Sequence, residues 1–203
     1  MFIIGISGLI GTGKSTVCSY LVEMGADLID ADSIGHSAYK DIEIYNEIVS
    51  IFGHQILDKN QKVNREKLSD IVFNDFDSLE KLNSIVHPYI KKIILNKMNH
   101  FRNKGSKVVV LEAAILLQAG WRDLVDEVWT VTTLKDIVLD RINSRLGMDA
   151  NFYELVLRSQ NRYSIKQPEK YVNSEVILLN NDSKKTLRKE VSLLWQTRVL
   201  KSR

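Results

Sequence analysis

Short runs rich in Ile, Val and Leu recur at residues 2–6, 26–29, 107–111, 127–131 and 175–179, and helical patterns fill the intervals between them. Brief β-branched runs of this kind suit strands buried on both faces. Strands that alternate with helices predict a parallel sheet, since each parallel connection needs a crossover. The expected fold class is therefore α/β, a five-stranded parallel sheet flanked by helices. One interval is too long for a simple crossover. Residues 33–104 show only helical periodicity, with Ile42, Tyr45, Ile48, Val49 and Phe52, then Leu68, Ile71, Val72, Leu79, Leu82, Ile85 and Val86, at helical spacing. A group of helices inserted at the carboxyl edge of a parallel sheet is well placed to hold a substrate. Pro88, after His87, predicts the first position of a new helix, and Gly105 its end before the strand at 107–111. The segment from Arg141 to Lys170 is polar and helical with one basic face, which suits a lid. The organisation expected is a single unit over 1–203: a core of 1–32, 105–135 and 171–203, a helical substrate-binding region at 33–104, and a helical lid at 136–170.

Composition narrows the partners. With 203 residues and 44% hydrophobic content the chain can bury one sizeable core. Its 28 basic and 25 acidic residues are interspersed, giving a net charge of only +3, so no nucleic-acid partner is expected. The basic cluster Lys184, Lys185, Arg188, Lys189, Arg198, Lys201 and Arg203 has helical spacing and reads as a solvated helix face. No apolar run is long enough to span a bilayer, and Met1 leads straight into the first strand without room for a cleavable signal. A cytoplasmic protein with no membrane partner is expected. Cys18 is the only cysteine, so an internal disulfide is excluded and its expected role is that of a small buried apolar residue.

The chemistry is concentrated at Gly8-Leu9-Ile10-Gly11-Thr12-Gly13-Lys14-Ser15, which fills the pattern G-x-x-x-x-G-K-[ST] between the first strand and a helical stretch from Thr16 to Met24. Gly8, Gly11 and Gly13 let successive backbone N–H groups turn inward around phosphate oxygens, and the helix that follows presents its positive end to them. In this pattern Lys14 reaches the β and γ phosphates of ATP and Ser15 ligates Mg²⁺.

The loop alone leaves a small-molecule kinase, a GTPase switch and an ATPase motor open. Thr133-Leu134-Lys135-Asp136 does not match the guanine-reading tetrapeptide of switches. Motors need a strand ending in Asp-Glu, whereas Val108 to Leu111 ends in the single acid Glu112 followed by Ala113 and Ala114. A kinase must shield its γ phosphate from water, and Arg141, Arg145, Arg158 and Arg162 lie in the lid segment. It also needs a carboxylate at the acceptor hydroxyl. Asp30-Ala31-Asp32 supplies two at the carboxyl end of the second strand, where one of them also suits the cap of a helix starting near Ser33. A kinase of the P-loop fold is the reading, with a kinase of another small alcohol or nucleoside monophosphate, and a nucleotide-binding regulatory module, as its rivals.

Residues 4–15, Ile29-Asp30-Ala31-Asp32, Val86-His87-Pro88 and Asn180-Asn181-Asp182-Ser183 resemble dephospho-CoA kinase nearly end to end. Residues 112–121 and 124–129 are most similar to the kinase half of the eukaryotic bifunctional CoA synthase. The resemblance implies transfer of the ATP γ phosphate to the ribose 3′-hydroxyl of dephospho-CoA, the last step of coenzyme A biosynthesis, and a possible association with the preceding adenylyltransferase. By position it makes Asp32 the catalytic carboxylate, Asp30 part of the acceptor site, and Gly11 to Thr16, with Thr12 and Thr16 included, the ATP-binding stretch. It sets Arg141 as the lid arginine with Arg145 one turn on, Asn180 near the adenine, and Arg65 and His87 in the substrate region. Where the family carries a proline and a glutamate after the third strand, this chain has Ala114 and Gln118.

Overall fold

A computed structural model describes residues 1–146 and 174–201, with side chains given for 1–141 and 174–201. Arg158, Arg162 and most of the expected lid lie outside the described residues. Five strands are present among those described, β1 (Phe2–Ser7), β2 (Asp27–Asp30), β3 (Val108–Glu112), β4 (Glu127–Thr132) and β5 (Val176–Leu179). They form one parallel sheet in the order β2-β3-β1-β4-β5, with Ile4 opposite Val110 on one side and Glu127 on the other. The sequence reading of five parallel strands holds, each boundary moving by a residue or so. The helices are α1 (Lys14–Glu23), α2 (Ala31–Ala38), α3 (Ile42–Phe52), α4 (Arg65–Asn74), α5 (Phe76–Asn103), α6 (Lys135–Leu146) and α7 (Lys184–Leu194).

The described chain divides into two compact units, one of Met1–Asp30 with Asn96–Arg203 and one of Ala31–Leu95. The first holds the whole sheet. Ile4, Ile6, Val108, Val110, Trp129 and Val131 from the strands pack with Val17, Leu21, Leu187, Val191 and Trp195 from α1, α7 and the turn after it. Cys18 joins this cluster at 1% exposure, as a small apolar residue should. Each such side chain withdrawn from water contributes about 1.5–3 kcal/mol, so burial of this layer stabilises the sheet edge that carries the phosphate loop. On the opposite face of β1, a Cβ added to Gly5 would meet Leu116 Cδ1 at 2.6 Å, so glycine here lets the chain after β3 pack against the strand. Two cations of the C-terminal basic cluster are engaged within the unit: Arg188 pairs with Glu23 at 2.7 Å over the Tyr20 ring, and Arg198 pairs with Glu127 at 2.9 Å.

The second unit is helical apart from a tight loop, where Leu57 and Val63 form an antiparallel bridge and the Asp58 carboxylate accepts from the Asn60 and Lys62 N–H groups. Periodicity in the sequence did not signal that loop. Two expected helix starts are corrected. Pro88 lies inside the 28-residue α5 and does not open a helix. Its ring removes one helix hydrogen bond at a cost of about 3 kcal/mol. The buried stripe Leu79, Leu82, Ile85, Val86, Ile90 and Ile94 continues across it, and burial of that stripe outweighs the break. The helix after β2 begins at Ala31, not near Ser33, so Asp32 stands in its first turn and Asp30 ends the strand.

Candidate active site

The phosphate loop joins β1 to α1. Gly8, Gly11 and Gly13 all have positive φ, at 144°, 81° and 101°, a region that side-chain-bearing residues rarely enter. Space is short as well: a Cβ on Gly8 would fall 2.3 Å from the Val131 carbonyl oxygen, and one on Gly13 would fall 2.2 Å from Asn180 Nδ2. Helix α1 starts at Lys14 with Gly13 as its N-cap and no side-chain cap, so its first N–H groups stay open to an anion.

Inside the loop the Leu9 carbonyl collects three donors, the Thr12 N–H at 3.4 Å, Thr12 Oγ1 at 2.9 Å and Lys14 Nζ at 3.2 Å. The Lys14 side chain is thereby curled back over the loop with 8% of the residue exposed. Among the described residues it forms no ion pair. A buried ammonium held by a single carbonyl is costly until an anion neutralises it.

Ser15 Oγ donates to Glu112 Oε1 at 2.7 Å, bridging the head of α1 to the end of β3. The hydroxyl's only proton is committed to that bond, which leaves its oxygen lone pairs for a cation. Burial, then the Glu112 charge and a hydrogen bond to it, push the Cys18 thiol well above its ordinary range, so Cys18 stays protonated beside that carboxylate. Glu112 was read in the sequence only as evidence against a motor. An acid at the carboxyl end of the strand beside β1 was the signal that it belongs to the phosphate site.

Asn180 and Arg141 close the loop from the other side. Asn180 is 6% exposed and its Nδ2 donates to the Thr12 carbonyl at 2.8 Å. From α6, Arg141 Nη2 donates to the Asn180 carbonyl at 3.0 Å, and Nη1 lies 3.5 Å from the Thr12 carbonyl. Thr16 follows in α1, its N–H bonded to the Gly13 carbonyl at 3.1 Å. Asp30 is exposed at the end of β2, in register with Glu112. The structure thus gathers Gly8 to Thr16, Asp30, Asn180 and Arg141 in the sheet unit. The Arg145 side chain lies outside the described residues. After β3, Trp121 is buried under the turn, and Gln118 Oε1 is buried with no hydrogen-bond donor among the described residues.

The remaining candidates belong to the helical unit. Asp32 is half-buried in the first turn of α2. Asn64 caps α4 by accepting from the Glu66 and Lys67 N–H groups, which places Arg65 at its exposed first position. Burial pushes the Tyr39 hydroxyl up, and the nearby Arg65 charge draws it partly back. His87 is half-buried on α5, and burial lowers it to about 4 from an ordinary 6.5. The unfolded chain therefore takes up this proton first on acidification. Stability falls as pH drops from 6.5 towards 4, by up to about 3 kcal/mol, and does not change with this group above 6.5. His87→Gln is expected to flatten that slope, read from urea midpoints at pH 7.5, 5.5 and 4.5. An unaltered slope would place the proton uptake elsewhere.

A phosphate loop at the carboxyl edge of a parallel sheet, with a buried lysine and a serine–carboxylate bridge, defines a nucleotide-binding protein of the P-loop kinase fold. Residues 2–186 match the family model described as dephospho-CoA kinase. The chain is 37% identical to the dephospho-CoA kinase of Dehalococcoides mccartyi, over 98% of each chain. It is 34% identical to that of Fusobacterium nucleatum, over 97% of this chain and 98% of the relative. Among solved structures it superposes on the dephospho-CoA kinase from Campylobacter jejuni with a TM-score of 0.67 at 25% identity, covering 99% of this chain and 98% of the other. The chain belongs to the dephospho-CoA kinase family. These relatives are bacterial.

Proposed function

We propose that this protein phosphorylates the ribose 3′-hydroxyl of dephospho-CoA with ATP, giving coenzyme A and ADP. Family membership over nearly the full chain supplies the reaction and its acceptor. The observation that carries the phosphoryl-transfer chemistry is the buried Lys14 ammonium curled into an intact phosphate loop.

Transfer of this kind is dominated by positioning and by neutralisation of charge on the phosphoryl oxygens. Lys14 turns from the Leu9 carbonyl to the β and γ phosphates. The stretch Gly11 to Thr16 binds the phosphate oxygens through the N–H groups it leaves open, those of Gly13 and Lys14 among them, Arg141 adds positive charge at the loop's rim with Arg145 one turn on, and Asn180 stands on the adenine side. Asp32, two residues beyond the end of β2, accepts the proton of the attacking 3′-hydroxyl. Asp30, Arg65 and His87 form the acceptor side, with the helical unit as substrate-binding region and the segment 136–170 as lid. Ser15 would hold Mg²⁺, whose charge would add to the neutralisation of the phosphates. The donor chemistry fits that cation: a serine hydroxyl with its proton engaged and a carboxylate behind it are hard oxygen donors, the kind that Mg²⁺ takes alongside substrate phosphates and water.

Glu112→Gln keeps an acceptor for Ser15 and removes the charge. The free Mg²⁺ concentration for half-maximal rate is expected to rise about tenfold, with the thermal midpoint little changed, because outer partners of a metal ligand are worth roughly 10–100-fold in affinity. An unshifted Mg²⁺ titration would remove Glu112 from the cation site.

The function itself is tested by ADP release with ATP and Mg²⁺ against dephospho-CoA, AMP, adenosine and no acceptor. Turnover with dephospho-CoA alone supports the reading, turnover with AMP makes the protein a nucleoside monophosphate kinase, and tight ATP binding without turnover makes it a regulatory module. We place the reaction in the cytoplasm, where ATP is available. Association with the adenylyltransferase that forms its acceptor would show as co-purification of the two activities.

A further inference from the structure

Asn180 and Arg141 converge on the Thr12 carbonyl, and that contact has a consequence for phosphate binding. A trans peptide is planar, with its C=O and N–H pointing in opposite directions. Holding the Thr12 oxygen towards Asn180 therefore aims the Gly13 N–H to the other side of the same plane. Gly13, at φ 101°, is the residue whose backbone allows that orientation. Asn180 thus sets a phosphate-facing N–H by gripping the outward face of its peptide.

Asn180 follows the edge strand β5 in a turn, and its own position has to be fixed. Its N–H donates to the Thr132 carbonyl at 2.8 Å. Thr133 Oγ1 lies 2.8 Å from the Asn180 carbonyl and 2.9 Å from Asn181 Oδ1, so its single proton is shared between two acceptors. Asn181 Oδ1 also accepts the Leu134 N–H at 2.9 Å, immediately before α6 begins at Lys135. One hydroxyl and one amide oxygen therefore stitch the turn after β5 to the junction of β4 and α6. The stitched turn carries Asn180, and the stitched helix carries Arg141, the two side chains that meet at Thr12.

We infer that Thr133 and Asn181 are positioning residues for the nucleoside triphosphate: acting only through Asn180 and Arg141, they fix the Thr12–Gly13 peptide in its phosphate-binding orientation. This rests on the phosphate loop binding ATP, as proposed above. It assigns the two residues to triphosphate affinity and not to the acceptor.

Thr133→Val removes the hydroxyl at nearly constant shape, Thr133→Ser restores it, and Asn181→Ala removes the amide from a half-buried position where folding is least at risk. Loss of one such bond corresponds to roughly tenfold in binding. Thr133→Val and Asn181→Ala are each expected to weaken binding of a non-hydrolysable ATP analogue about tenfold and to raise the ATP KM equally. The dephospho-CoA KM should stay within about twofold and kcat within about threefold, and Thr133→Ser should match the parent. Together the two losses should amount to less than their product, since both break one network. Analogue binding within twofold of the parent in both variants overturns the inference. So does an equal loss towards dephospho-CoA, which would mark a merely structural role. Direct analogue binding keeps the test independent of turnover, so a chain that binds ATP without phosphorylating dephospho-CoA fails the functional reading and leaves this one intact.

Discussion

Lys14→Ala is expected to lower kcat about a thousandfold without lowering the thermal midpoint. The rate loss follows from removing a fixed, buried positive group at the oxygens where charge develops; single donors of this kind are worth roughly 10²–10³. The stability expectation runs the other way. Lys14 is 8% exposed, is held by one carbonyl, and has no carboxylate partner among the described residues, so the folded enzyme without nucleotide carries the desolvation cost of an ammonium. Alanine removes that cost and is a better helix former at the first position of α1. Steady-state ADP release and a thermal melt on the same preparation check both halves. Lys14→Arg is not expected to restore the rate, because the planar guanidinium does not fit a loop that wraps a compact point charge. A loss below tenfold with a falling melting point would make Lys14 a structural residue and leave the loop without its main cation.

The same tension between local cost and function explains what could be read from the sequence. Strands β1 and β3 were legible because buried parallel strands need unbroken Val and Ile runs, and the phosphate loop because only glycines tolerate its backbone angles. Both constraints act within a few residues and leave a local trace. Pro88 was misread because its local preference for a helix start is real and was overridden by a buried stripe that no single position reveals. The start of α2 at Ala31 was missed because either aspartate could serve as a cap.

Contacts that link distant residues left weaker traces. Ser15 meets Glu112 across 97 positions, and Asn180 meets Thr12 across 168. Nothing periodic connects such partners, so Glu112, Thr133 and Asn181 emerged only when the sheet order put the ends of β3, β4 and β5 around the loop. Asn180 was found from family resemblance, without its contact to Thr12. The loop motif and the family resemblance therefore located the chemistry on the chain, and topology supplied the groups that hold it in place.

The choice between the acid that ends β2 and the one that follows it is decided by kinetics. Asp32→Asn preserves shape and one acceptor oxygen while removing the group proposed to take the 3′-hydroxyl proton. General-base contributions of roughly 10²–10⁴ lead us to expect kcat to fall by about 10³, with analogue binding to the phosphate loop unchanged within about twofold. Asp32 lies in the first turn of α2, where a negative charge is favoured by the helix's positive end, a contribution of about 0.3–1 kcal/mol that asparagine gives up. Asp30 differs in place and expected effect. It ends β2, is exposed, and lies in register with Glu112, so Asp30→Asn should act chiefly on the dephospho-CoA KM and leave most of kcat. The paired variants separate the roles: a base acts on the rate at saturation, and a group that shapes the acceptor site acts before it. If Asp30→Asn gives the thousandfold loss and Asp32→Asn only a KM effect, the base is the residue on the strand and Asp32 shapes the acceptor site. A large loss of ATP affinity in Asp32→Asn would tie Asp32 to the nucleotide and contradict its role at the acceptor hydroxyl.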